Sequence, residues 1–139
     1  MSTLKHLPVQ EWKDKFHLIN FVETGTFEGD GIRAALKCNF KRYFSCDIVV
    51  GFAIHAAQEF SHIPNVSITH ADSISFLSAL PFDIGPTFFW LDAHQPEFYG
   101  EEETDKNKFP VLEEIEIIKS RLGFERDVIV VDDLIAIKG

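Results

Sequence analysis

The chain has 139 residues, 45% of them apolar and 25% charged, a composition that supports one domain with a core of its own and excludes a disordered tail. Twenty-two acidic against 13 basic residues give a net charge of −9, the wrong sign for a surface that neutralises phosphates, so no nucleic-acid partner is expected. No stretch approaches the ~18 apolar residues that span a bilayer, and the first 16 residues carry five charges and no apolar signal core, so a cytoplasmic protein without membrane association is the expectation.

Residues 1–16 supply a leading helix over 8–16, with Trp12 and Phe16 four residues apart and placed to seal one end of a sheet. Residues 17–23 are a short apolar run closed by Gly25, a strand, and residues 31–37 have the Ala and Leu content of a helix. A strand over 42–47 leads to a helix over 52–60, and a strand over 65–70 to a helix over 74–80. The strand 86–91 is followed, after a polar stretch, by a helix over 111–119 with Pro110 at its first position. Residues 127–131, rich in β-branched side chains, form a fifth strand suited to burial on both faces. Strict alternation of strand and helix implies parallel strands with right-handed crossovers in a three-layer α/β sandwich. All 139 residues belong to a single domain. The stretch 95–109 is too long and polar for a plain connection and reads as a lid or a surface loop. Cys38 and Cys46 lack metal or redox spacing and read as buried, unpaired thiols.

In an open α/β sheet ligands bind beyond the C-terminal strand ends, so the residues just after each strand are the informative ones. Here they are Glu23-Thr24-Gly25-Thr26-Phe27-Glu28-Gly29, then Asp47, then Asp72-Ser73, then Asp92-Ala93-His94, then Asp132-Asp133. A single carboxylate at such a place is more often a helix cap than a functional group. An acid at every strand end points to a site. Phe27, two residues after Gly25, breaks the G-x-G-x-x-G pattern that lets a dinucleotide approach bare backbone, and the phosphate-cradling G-x-x-x-x-G-K-[ST] is absent, so NAD and nucleoside triphosphates are not expected. Phe88, Phe89 and Trp90 read as core, and His6, His17, His55, His62 and His70 carry no functional expectation.

The arrangement Glu23-x-Gly25-x-Phe27-x-Gly29, with Asp47 at the next strand end, resembles the first motif of class I S-adenosylmethionine-dependent methyltransferases with the middle glycine replaced. Residues 89–94, Pro110-Val-Leu-Glu-Glu114 and residues 128–133 are similar to the metal-dependent sugar and macrolide O-methyltransferases. The resemblance runs from about Phe21 to Asp133. It implies a Rossmann-like sheet of order 3-2-1-4-5 and methyl transfer from S-adenosylmethionine to an oxygen of a small polyol, sugar-like or phenolic acceptor. Glu23, Thr24, Gly25, Thr26, Phe27 and Gly29, with the amides of their loop, would hold the methionine end. Asp47 would accept both ribose hydroxyls, and Asp72 with Ser73 would meet the adenine. Asp92, Asp132 and Asp133 would bind Mg²⁺, which keeps several waters and takes few carboxylates. The catalytic residues would be Asp92 and His94, with His94 the general base. The family's usual C-terminal hairpin is lacking before Gly139, and the open edge this leaves implies a homo-oligomer. Two other readings stay open: a non-catalytic module that binds S-adenosylmethionine or a nucleoside, and a metal-dependent hydrolase built on the same aspartates.

Overall fold

Each of the five expected strands is present in the computed structural model, which describes residues 3–81, 83–92 and 110–132. They are β1 (Asn20–Thr24), β2 (Arg42–Asp47), β3 (Val66–His70), β4 (Thr87–Leu91) and β5 (Val128–Val131). All pair in parallel, in the order β3-β2-β1-β4-β5. The helices are α1 (Val9–Phe16), α2 (Asp30–Leu36), α3 (Val50–Glu59), α4 (Ser73–Ala79) and α5 (Val111–Lys119). The 95–109 stretch and the chain beyond Asp132, on which the lid and hairpin expectations fall, lie outside the described residues.

The central strands β1 and β4 are buried at every position, as strands of a parallel sheet covered on both faces should be, although β1 carries Asn20, Glu23 and Thr24 among its five residues. Successive side chains point to opposite faces, which sorts one strand between two cores. Phe21 and Phe88 face α1 and α2, where their rings stack at 5.9 Å beside Phe40, Tyr43 and Trp90. Val22, Cys46, Phe89 and Leu91 face α4 and α5, against Phe76, Leu77 and Ile118. Both cysteines are buried and free. No described helix is long and apolar enough to cross a membrane.

The N-terminal end departs from expectation in two places. Trp12 does seal the sheet, stacking on Phe88 at 6.1 Å, but Phe16 is 45% exposed. The reason is local: His17 takes a left-handed conformation (φ 56°) and Leu18 N donates to Lys13 O at 2.9 Å, closing α1 and turning the chain. The same cap delays β1, which begins at Asn20 rather than at residue 17. The register then aligns the strand tips, with Thr24 beside both Cys46 and Leu91, Asp47 beside His70, and Leu91 beside Val131. The residues that follow therefore share one edge.

Candidate functional site

The loop from β1 to α2 is folded back onto β2. Gly25 and Thr26 both donate their N–H to Cys46 O at 2.9 Å, Gly29 N donates to Thr26 O at 2.9 Å, and Phe27 N donates to the Asp47 Oδ2 at 2.8 Å. Gly25 (φ 88°) and Gly29 (φ 92°) take backbone conformations that a side chain would strain,. Phe27 tolerates φ 50° and rests its ring 5.2 Å from Phe52.

Beneath this loop lies Glu23, 1% exposed. Its Oε1 accepts from Ser45 Oγ at 2.8 Å, and the Ser45 and Thr26 hydroxyls share a hydrogen bond of 2.6 Å. A Cβ on Gly31 would collide with Oε2, so the glycine admits the carboxyl group against the start of α2. Burial pushes the Glu23 pKa up to about 8, with Ser45 opposing and Asp47 adding to the rise. Thr24 is buried too, its Oγ1 accepting from Asp92 N at 3.1 Å. Glu23, Thr24 and Thr26 are each at most 1% exposed and so have almost no surface to offer a ligand. They shape the loop, and the amides of Gly25, Thr26, Phe27 and Gly29 are bonded within the protein. Gly29 is buried as well, and the outward face of the loop is formed by Phe27 and Glu28, with Gly25 partly exposed.

Asp47 stands at the tip of β2, with Oδ1 accepting from Val49 N at 2.9 Å and Oδ2 from Phe27 N. Each oxygen has a second lone pair, so the carboxylate both anchors the loop and retains acceptor capacity. Ile48 and Val50, half exposed beside it, form an apolar shelf that the sequence reading passed over. The available signal was apolar residues placed directly after an acidic strand end. Asp72 serves as the N-cap of α4: Oδ1 accepts from Ser75 N at 2.8 Å and Oδ2 from Ser75 Oγ at 3.0 Å, and these bonds hold its pKa below the usual range. Its neighbour Ser73 is buried at the head of α4.

Asp92 and Asp132 meet, as neighbouring strand ends require. Asp92 N donates to Thr24 O at 3.1 Å and Asp132 N to Leu91 O at 3.0 Å. The two carboxyl groups are in hydrogen-bond contact, and Thr3 Oγ1 donates to Asp132 Oδ1 at 3.1 Å. Burial, then the hydrogen bond to Asp132 and its charge, push the Asp92 pKa up to about 8, so near pH 7 Asp92 keeps its proton. His94 and Asp133 lie outside the described residues, and among the described residues no group of three metal-ligating side chains occurs. A close pair of hard carboxylates that retains a proton does fit a divalent cation, which would take the proton's place.

The sequence quoted Glu114 only as part of a motif. In the structure it is wholly buried on the first turn of α5, with Ser73 beside it. A separate cleft of about 420 Å³ between the chain start and the end of α2, lined in part by Leu4, Val9 and Cys38, lies away from the strand tips.

The strand order reverses between β1 and β4, and the loop and the acid pair flank that point. A Staphylococcus aureus protein assigned as a caffeoyl-CoA O-methyltransferase superposes with a TM-score of 0.65, at 10% identity, over 92% of this chain and 56% of that one. The fold is the methyltransferase Rossmann-like fold. An rRNA methylase from Streptococcus thermophilus matches with a TM-score of 0.53 and 17% identity, over 84% of this chain and 64% of that one. A Streptococcus mutans protein assigned as a methyltransferase, solved in complex with SAH, matches with a TM-score of 0.57 and 11% identity, over 88% and 68%. The chain thus spans a little over half to two-thirds of the length of these neighbours. No protein-family model matches the chain, and no curated protein matches it in sequence.

Proposed function

We propose that the chain is an S-adenosylmethionine-dependent methyltransferase, with the cofactor over the tips of β1 and β2 and a small hydroxylated acceptor beside β4 and β5. The observation that carries this reading is the loop at the topological switch point, where open α/β sheets bind ligands, tied to the acid at the tip of β2 through Phe27 N and Asp47 Oδ2. Gly25 and Phe27 line the methionine side. Asp47 receives the ribose hydroxyls on its remaining lone pairs, and Ile48, Val50 and Ser73 enclose the adenine. The bound cofactor supplies an electrophilic methyl group on its sulfonium.

Asp92 and Asp132, with Asp133 following in sequence, would hold Mg²⁺, whose charge lowers the pKa of a coordinated hydroxyl. Asp92 holds or releases a proton at the acceptor side, and His94 serves as base for the acceptor hydroxyl. Alignment of the acceptor oxygen with the methyl carbon and sulfur contributes the rest. The test is calorimetric titration with S-adenosylhomocysteine, with and without Mg²⁺. Wild type should bind, and Asp47→Ala should bind more weakly by about 1.5–3 kcal/mol, the worth of hydrogen bonds to a charged acceptor. No binding by the wild-type chain refutes the reading.

A further inference from the structure

Arg33, midway along α2, reaches out of its own helix. Its Nη2 donates to the backbone carbonyl of Glu28 at 2.7 Å and to Asp30 Oδ1 at 2.8 Å, and its Nη1 donates to Glu59 Oε2 on the last residue of α3. The head group lies over Gly29, where an added Cβ would come within 3.1 Å of Nη1 and 3.3 Å of the Phe60 ring. A guanidinium is planar and carries five donors in a fixed fork. One rigid group thus joins the outer turn of the β1–α2 loop to both α2 and α3.

Two of these contacts are ordinary. Asp30 is one turn back on the same helix, and Glu59 pairs with an arginine side chain that is 42% exposed; ion pairs of that kind contribute little to stability. The two helices are in any case packed through Ile32, Ala56 and Phe60. The bond to Glu28 O differs, because its acceptor belongs to the loop. The inner half of that loop is fixed by Gly25 N and Thr26 N on Cys46 O, and its middle by Phe27 N on Asp47. Glu28 follows Phe27 on the exposed side of the loop, and Arg33 fastens it from α2.

We infer that Arg33 is a positioning residue for the cofactor loop: by holding the Glu28 carbonyl between α2 and α3 it presets Phe27 and the outer turn for the methionine side of the cofactor. This rests on the cofactor reading above. Gly25 and Gly29, both at positive φ, flank that turn, and glycine gives a backbone wide freedom. The tether restricts it. A loop that visits its binding-ready form only part of the time binds with an affinity lowered by that fraction, so a fall to about a third to a tenth of the population raises the dissociation constant about three- to tenfold.

The experiment is titration calorimetry of the full chain with S-adenosylhomocysteine, alongside thermal unfolding, for wild type, Arg33→Met, Arg33→Lys and Glu59→Ala. Arg33→Met keeps most of the side-chain stem but no donor, and should bind about three- to tenfold more weakly. Glu59→Ala removes the strap between the helices while leaving the bond to Glu28 O, and should bind within about twofold of wild type. Both should lower the melting temperature by a similar small amount. Arg33→Lys keeps one charged donor group and should fall between wild type and Arg33→Met in affinity; if Arg33→Met does not fold, a weaker affinity for Arg33→Lys than for Glu59→Ala decides the matter. Equal losses of affinity on changing Arg33 and Glu59, or none in either, overturn the inference and leave the cofactor reading intact. A wild-type chain that binds no cofactor overturns both.

Discussion

Gly31 lies within α2 with ordinary helical geometry, and helix propensity alone makes Gly31→Ala stabilising by up to about 1 kcal/mol. The structure reverses the sign. The added methyl group would collide with Glu23 Oε2, and Glu23 cannot retreat, because it is 1% exposed and its other oxygen is held by Ser45. Overpacking of this kind costs about 1–3 kcal/mol, and displacing the carboxyl group from Ser45 adds about 1 kcal/mol for the lost hydrogen bond. After the propensity gain is subtracted, a net loss of roughly 1–3 kcal/mol remains, or about 3–12 °C in melting temperature for a chain of this size. Thermal unfolding followed by circular dichroism measures it. The double variant Gly31→Ala/Glu23→Ala, which removes the colliding group, should recover about 1 kcal/mol or more relative to the sum of the single changes, as coupled neighbours do. A higher melting temperature for Gly31→Ala than for wild type would refute the placement of the acid beneath the loop.

Glu23 also sets a pH dependence of stability. The folded chain keeps its proton up to about pH 8, whereas the unfolded chain releases it near 4.3, so the folded state binds more protons between those values and stability falls as pH rises through the window. Glu23→Gln should flatten part of that slope in urea titrations at pH 5.5, 7 and 8.5, and an unchanged slope counts against a buried neutral Glu23. Asp72→Ala should lose about 0.5–2 kcal/mol of stability as a helix cap and also lose affinity for S-adenosylhomocysteine; an affinity equal to that of wild type would take Asp72 out of the adenine site. Mg²⁺ should raise the melting temperature of wild type but not of Asp132→Asn, whose metal-free form should be at least as stable, since one of two crowded carboxyl groups is neutralised. Identical metal responses in the two proteins would leave the aspartates as turn residues.

Much of the architecture was written in one dimension. Apolar runs marked five strands, and their alternation with helices implied that they pair in parallel, while the order that is observed came from the resemblance to the methyltransferases. The acids at the strand ends were legible for the same reason: once the strands are placed, the residues after them must share an edge. What each acid does there was not legible, since it depends on partners distant in sequence. Asp72 and Asp47 look alike as letters, yet one spends both oxygens on Ser75 and the other reaches back 20 residues to Phe27. Glu23 and Glu114 became neutral-prone acids only through burial, which no local pattern records. Phe16 was exposed by a left-handed residue at His17, although its helical spacing had assigned it to the core. Sequence determined the frame because strand and helix formation follow from local periodicity and chain connectivity. Desolvation and long-range hydrogen bonds decided the chemistry of the site, and those exist only after the chain has folded.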